Sequence, residues 1–331
     1  MSGNSSATRI AIIGTGNVGS AIVYALLHRS MNSELLLVDI NPSKRDAQIC
    51  DLRDAACAEG STTQIRSGTL RDAGSCDIVI IAAGVKKKKG ETKVQRLERT
   101  NAILQNIIGG LRPFLLPSTI ILVVSNPVDV LTTLAYKLAG LPSSQVIGLG
   151  TYLDTVRLRR IMGEDLRIFP DCIQANMLGT QDDGPEAEVL AWSTAEVSGV
   201  PIAESSLAIT GSEWTARLHQ EGSDMAHLKG APVFNIASSV ACIVSAIIFD
   251  NKPQAGFPGP RFPLGPMPIS HYQESLRCSI SLPAVLGRSG VTKTVAVEFD
   301  DSERKNMVKA GSVVSEIVER LLGDGTEGAD E

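Results

Sequence analysis

The sequence predicts an α/β protein, a doubly wound parallel sheet followed by a second, α+β unit, and three observations carry that prediction. Short β-branched runs alternate with stretches of helical periodicity through the first half. A glycine-rich turn joins the first of those runs directly to the first helical stretch. A length of 331 residues, 43 % of them hydrophobic, suffices for two units with their own cores.

Strands are expected at residues 9–13 (RIAII), 34–39 (ELLLVD), 77–84 (DIVIIAAG), 119–127 (TIILVVSNP) and 145–150 (QVIGLG). Apolar runs this short, closed by Gly, Pro or Asp, suit strands covered on both faces by helices. Residues 21–27 and 102–115 space their apolar positions as helices do. Beyond residue 150 the pattern is less regular. A strand-like run occupies 172–179, a long helix is expected over 233–249, a strand pair around 278–287 and 293–299, and a final amphipathic helix over 301–322. Residues 251–271, NKPQAGFPGPRFPLGPMPISH, hold closely spaced prolines and are expected to form a loop.

Composition narrows the function classes. A net charge of −5 argues against a nucleic-acid partner held by bulk electrostatics. No run reaches the length of a membrane span, and MSGNSSATR lacks the features of a signal peptide, so no membrane partner and a cytoplasmic location are expected. Cys50, Cys57, Cys76, Cys172, Cys242 and Cys278 form no CxxC and no Cys/His cluster, which predicts free thiols and no metal.

The turn GTGNVG, residues 14–19, follows a strand and opens a helix. Gly14 permits the tight turn, Gly16 lets backbone approach a pyrophosphate, and Gly19 lets helix pack on strand, with Asn17 and Val18 at the helix start. Asp39 ends the next strand, where a carboxylate hydrogen-bonds a ribose 2′-OH and repels a 2′-phosphate. A Rossmann unit binding NAD(H) rather than NADP(H) follows.

With these features in place, IIGTGNVGSAIVYALL, AAGV followed by GETK, LVVSNPVDVLT, VIGLGTYLDTVRLRRIMGE and SLPAVLGRSGV together resemble the L-lactate/malate dehydrogenase family. The resemblance implies a tail over 1–8, an NAD-binding domain over 9–150, a substrate domain of that family's α+β type over 151–322 and an acidic tail over 323–331. It places Ala83, Gly84, Val124 and Asn126 along the cofactor, with Asn126 also near substrate. It implies that Arg157 forks onto a substrate carboxylate, a task suited to paired guanidinium donors, and that Asp154 is the carboxylate that orients the catalytic histidine. Homodimers or homotetramers are implied as well.

The chain also departs from the family. In GTQDDGPEAEVLAWS, Gln181 stands where the family has its histidine, and Asp182 follows in place of a glycine. Lys93 stands where the family has an arginine that polarises the substrate carbonyl. Lys87 occupies the specificity position, and Pro232 a wall position that is small or Thr in the family. His28, His219, His227 and His271 are each expected at the surface. Glutamine cannot titrate, and losing a general acid typically costs about two to four orders of magnitude. The leading expectation is therefore a non-redox enzyme, in which Asp154, Asp182 or Asp183 drives isomerisation or cyclisation of an anionic or phenolic substrate. The alternative is an NAD-dependent oxidoreductase of a 2-hydroxy or 2-oxo acid with an atypical proton donor; a silent NAD-binding regulator is the third reading. Burial raises the pKa of Asp154 and Arg157 lowers it, so sequence leaves the net direction open.

Overall fold

A computed structural model describes residues 7–29, 33–85, 88–181, 187–202, 211–250 and 265–323. The first half builds six parallel strands: β1 (Thr8–Ile13), β2 (Ser33–Val38), β3 (Gln64–Ser67), β4 (Ile78–Ile81), β5 (Ile120–Val123) and β6 (Val146–Gly148). Their spatial order is β3-β2-β1-β4-β5-β6, the doubly wound arrangement expected. Ile10, Ile12, Leu35, Leu37, Ile80 and Leu122 are fully buried. Each such side chain contributes about 1.5–3 kcal/mol, which is why these runs lack the polar alternation of a one-faced sheet. Helices α1 (Asn17–Leu27), α2 (Pro42–Ala58), α3 (Leu70–Gly74), α4 (Lys93–Leu111) and α5 (Val128–Ala139) cover the faces.

Two strands stop earlier than their apolar runs. β4 ends at Ile81 and β5 at Val123, because the chain beyond them turns out of the sheet: Ser125 Oγ donates back to the carbonyls of Ile81 and Ala83 at 3.2 and 2.5 Å. Those turns lie at the carboxyl ends of the strands, beside the reversal of order between β1 and β4, where open α/β sheets bind ligands.

The second half begins with α6 (Tyr152–Leu166), then the short strands β7 (Ile173–Gln174), β8 (Met177–Gly179), β9 (Glu188–Leu190), β10 (Glu196–Val197) and β11 (Val200–Pro201). Helices α7 (Gly211–Lys229) and α8 (Val233–Ile248) follow, then β12 (Met267–Gln273), β13 (Cys278–Gly287), β14 (Gly290–Thr294) and α9 (Asp301–Gly323). β12 pairs antiparallel with β6 on one side and β13 on the other, so the sheet runs on through β13, β8 and β9.

Three expectations need correction. Part of the proline-rich segment is strand: β12 includes Pro268, which is tolerated because β6 pairs only with Ser270 and His271, so no β6 partner awaits the missing N–H. Residues 251–264 of that segment lie outside the described residues. The last strand is β14 rather than 293–299; past Thr294, Val297 and Phe299 pack on the core beneath α9 instead of pairing. His271 is buried, bonded to the Ile269 carbonyl and Thr294 Oγ1, and burial lowers its pKa. No single helix among the described residues is long and apolar enough to cross a membrane.

Candidate active site

The glycine turn folds as its residues require. Gly14 has φ +95°, and a Cβ there would lie 2.7 Å from Ala83 backbone; one at Gly19 would lie 1.9 Å from the Gly14 carbonyl oxygen. A Cβ at Gly16 or Gly84 meets nothing within 4 Å. That backbone borders open space, and the first turn of α1 carries no side-chain cap. Uncapped N–H groups beside such a space fit a pyrophosphate.

Asp39 sits at the end of β2, where its Oδ2 accepts from Thr15 N and Oγ1 at 2.7 and 3.0 Å, and its Oδ1 from Asn41 N at 2.9 Å. Partial burial pulls its pKa upward, but the bonds from Asn41 and Thr15 outweigh it and hold the carboxyl below its ordinary value. Each carboxylate oxygen can accept a further donor. Next to it Ile40 is wholly exposed, an apolar face of the kind an adenine ring covers. The sequence reading passed over Ile40; an isoleucine directly after the strand-ending acid was the available signal.

A cavity of about 610 Å³ opens between this cradle and the second half of the chain. Val18, Gly84, Val124 and Asn126 line one side; Asp154, Arg157, Gln181, Glu188, His219 and Pro232 line the other. Asp154 and Arg157 lie three residues apart on α6, hence on one face. Arg157 Nη1 donates to Asp154 Oδ1 at 2.8 Å, and Gln181 Nε2 donates to Asp154 Oδ2. Both members of the ion pair are 6 % exposed. Burial and the neighbouring charge of Glu188 push the Asp154 carboxyl up, against Arg157, the Gln181 bond and His219, to about 7. The direction that sequence left open is thus upward.

This shift carries a stability consequence. The folded protein keeps a proton on Asp154 where the unfolded chain, with a value of 3.8, has lost it. That contribution is full at acid pH and is lost as pH rises through about 7. His219, also raised, acts in the same direction. Asp154→Asn should therefore flatten stability against pH: its melting temperature relative to wild type rises from pH 4 to pH 8 in calorimetry. A constant difference would mean that Asp154 is ionised throughout.

His219 does not stand at the surface as expected. It is half-buried on the cavity wall, with Nε2 2.7 Å from Glu188 Oε2. Two clamps seat α7 on α6: Trp214 Nε1 donates to Asp165 at 2.9 Å, and Arg217 bridges Glu164, Asp165 and Glu221. One turn beyond His219, a Cβ on Gly222 would meet Arg157 Nη1 at 2.9 Å, so that glycine gives the guanidinium its room. Sequence reasoning missed Glu188 and His219; the only hint was a histidine beside the buried Trp214 and Leu218 stripe of α7. His28 and His227 are exposed, as expected.

Lys93 is the first residue of α4, which Thr92 caps, and lines a neighbouring cavity of about 300 Å³ with Thr100 and Arg320. Arg96, one turn on, borders both cavities. Arg96, which the family pattern did not indicate, therefore shares the cavity of the cofactor wall, as Arg157 does. Asn17 lies on a separate groove between α1, α2 and α8. Lys87, Asp182 and Asp183 lie outside the described residues. Among the described residues no group of three or more His, Cys, Asp or Glu is placed to hold a metal ion.

Comparison with known proteins bears on this site. Residues 8–148 match the lactate/malate dehydrogenase NAD binding domain, and residues 151–322 the lactate/malate dehydrogenase alpha/beta C-terminal domain. L-lactate dehydrogenase A of Rhizopus oryzae is 36 % identical over 305 residues, 92 % of this chain and 90 % of that protein. L-lactate dehydrogenase of Synechococcus sp. (strain JA-3-3Ab) is 33 % identical over 319 residues, 94 % of this chain and 98 % of that protein. Among solved structures, the ligand-bound minor L-lactate dehydrogenase of Enterococcus mundtii superposes with a TM-score of 0.86 at 26 % identity, covering 95 % of this chain and 98 % of that one.

Proposed function

The chain belongs to the lactate/malate dehydrogenase family, and from that premise we propose that it is an NAD(H)-dependent oxidoreductase interconverting a small 2-oxo acid and its 2-hydroxy acid. One observation carries this reading beyond family membership. The buried Arg157, tied to Asp154, shares a single cavity with Val18, Gly84, Val124 and Asn126, so an anion fork and a cofactor wall face one space. The NAD-binding domain supports a bound dinucleotide, held by the turn of Gly14, Gly16, Asn17 and Gly19, with Asp39 on the ribose and Ile40 against the adenine. When bound, the nicotinamide supplies or takes the hydride at the substrate carbon.

The chain's own residues do the rest. Arg157 holds the carboxylate and so fixes which face of the carbonyl meets the cofactor wall. Asn126 donates or accepts at the substrate oxygen side of that wall. Lys93 and Arg96 add positive charge that draws anions to this side of the molecule. Asp154 keeps Arg157 and Gln181 in register from below.

Gln181, together with an Asp154 carboxyl near neutrality, favours a second reading, acid-driven isomerisation or cyclisation without redox change. Cofactor dependence separates the two. Purified protein should oxidise NADH one-for-one with a 2-oxo acid such as pyruvate, oxaloacetate or phenylpyruvate, and Gln181→His should raise the rate with the smaller acids. Product formed at an equal rate without NADH would replace the redox reading by the second.

A further inference from the structure

Hydride addition to a carbonyl carbon leaves its oxygen in need of one proton, and a side-chain amide at position 181 has none to give. Around the cavity, the described titratable groups are Asp154 and Arg157 from α6, Glu188 from β9, His219 from α7 and Arg96 from α4. Arginine keeps its protons at any relevant pH. Asp154 accepts from Arg157 on one oxygen and from Gln181 on the other, so its carboxyl is engaged in holding the fork that takes the substrate carboxylate.

His219 differs in three respects. Its Nε2 faces a carboxylate, which only accepts, so Nε2 is the donor and Nδ1 is left for a ligand. Glu188 is nearly closed to solvent, with a side chain 6 % exposed, and its Oε1 has no partner among the described residues. A buried carboxylate with one oxygen committed to an imidazole is the arrangement that orients and charges such a ring. A Cβ on Gly222, one turn along α7, would lie 2.9 Å from Arg157 Nη1, and Gly222, His219 and Arg157 line the same cavity, so this face of the helix borders the place where the substrate carboxylate docks. The bond from Glu188, opposed by partial burial and by the charge of Arg157 and aided by the charges of Glu188 and Asp154, raises the pKa of His219.

We propose that His219, held by Glu188, is the proton donor that replaces residue 181, acting from the α7 wall of the cavity; this rests on the oxidoreductase reading. In the reducing direction the carbonyl carbon takes the hydride of the dihydronicotinamide. The carbonyl oxygen takes the Nδ1 proton of the imidazolium, and neutral His219 and the 2-hydroxy acid remain. In the oxidising direction neutral His219 would take the hydroxyl proton on Nδ1 while the carbon's hydride goes to the oxidised nicotinamide, leaving the 2-oxo acid, the imidazolium and the dihydronicotinamide. Glu188 is a positioning residue that keeps the ring oriented.

The test combines a titration with kinetics on the full chain. Protein with ¹⁵N-labelled histidine is titrated by NMR, and the ring of His219 is identified by its loss in His219→Asn. It should titrate above 6.5 in wild type and shift down in Glu188→Gln. NADH oxidation by pyruvate and by phenylpyruvate should fall about 10²- to 10⁴-fold in His219→Asn. NADH affinity, read by fluorescence, should stay near wild type, and far-UV circular dichroism should show His219→Asn folded at the assay temperature even though unpairing Glu188 lowers its melting temperature. The alkaline limb of the wild-type pH–rate profile should follow the NMR value and move with it in Glu188→Gln. If wild type turns over and His219→Asn matches it, the proposal fails and the redox reading stands. If His219 titrates without regard to Glu188, the pairing and the proposal fail together. If wild type oxidises no NADH with any 2-oxo acid, the redox reading itself fails and takes the proposal with it.

Discussion

Replacing Arg157 by methionine should raise KM for a 2-oxo acid about 10²- to 10³-fold while leaving NADH affinity unchanged. A charge-assisted hydrogen bond is worth about 1.5–3 kcal/mol, and a carboxylate on this fork loses two. The same change removes the partner of a carboxylate that is 6 % exposed. An uncompensated buried charge costs about 3–5 kcal/mol, but Asp154 can escape by keeping its proton, since its carboxyl already titrates near 7. The loss of stability should therefore be large at pH 8.5 and much smaller at pH 5.5. Steady-state kinetics checks the first part and melting at the two pH values the second. An unchanged KM would show that the carboxylate docks elsewhere.

Gly19→Ala should be nearly as severe, for a different reason. Its methyl would stand 1.9 Å from the Gly14 carbonyl oxygen and 3.5 Å from Ile12 Cγ2, so helix α1 must lift from the strand before it. Overpacking of this kind costs about 1–3 kcal/mol or more, and the turn that cradles the cofactor is displaced with it. Gly16→Ala is the control. Its methyl meets nothing within 4 Å, so melting should stay near wild type, yet it enters the space beside the uncapped helix start. NADH affinity should fall in both variants, but melting temperature only in Gly19→Ala. Equal NADH binding by Gly16→Ala would place the pyrophosphate elsewhere.

What was legible in sequence follows from range. The turn at Gly14, the acid at Asp39 and the Asp154–Arg157 pair are local features, each fixed by neighbours within a strand, a turn or a helical turn. Their chemistry can be read before any tertiary contact is known. Glu188 and His219 meet across 31 positions, and only the docking of α7 on α6, through Trp214, Asp165 and Arg217, brings them together. Nothing in a polar helical segment marks which of its faces turns inward. Arg96 escaped notice likewise, because the family pattern draws attention to position 93 while the first turns of α4 carry the next cation to the cavity. Proline counting misjudged β12, since what matters is whether a strand neighbour awaits the missing donor at Pro268.

The antiparallel seam between β6 and β12 has a mechanical consequence. Because Gly148 and Ile147 pair with Ser270 and His271, backbone hydrogen bonds cross from the cofactor half into the other half within one sheet. Two bodies stitched along a ladder do not swing about a hinge as two bodies joined by a linker do. Enclosure of a ligand is then expected from elements outside that ladder; among the described residues, α7 and the first turns of α4 border the cavity. Amides at the seam should accordingly be among the slowest to exchange with deuterium, with or without ligand, while those of α7 slow only when the cavity is filled.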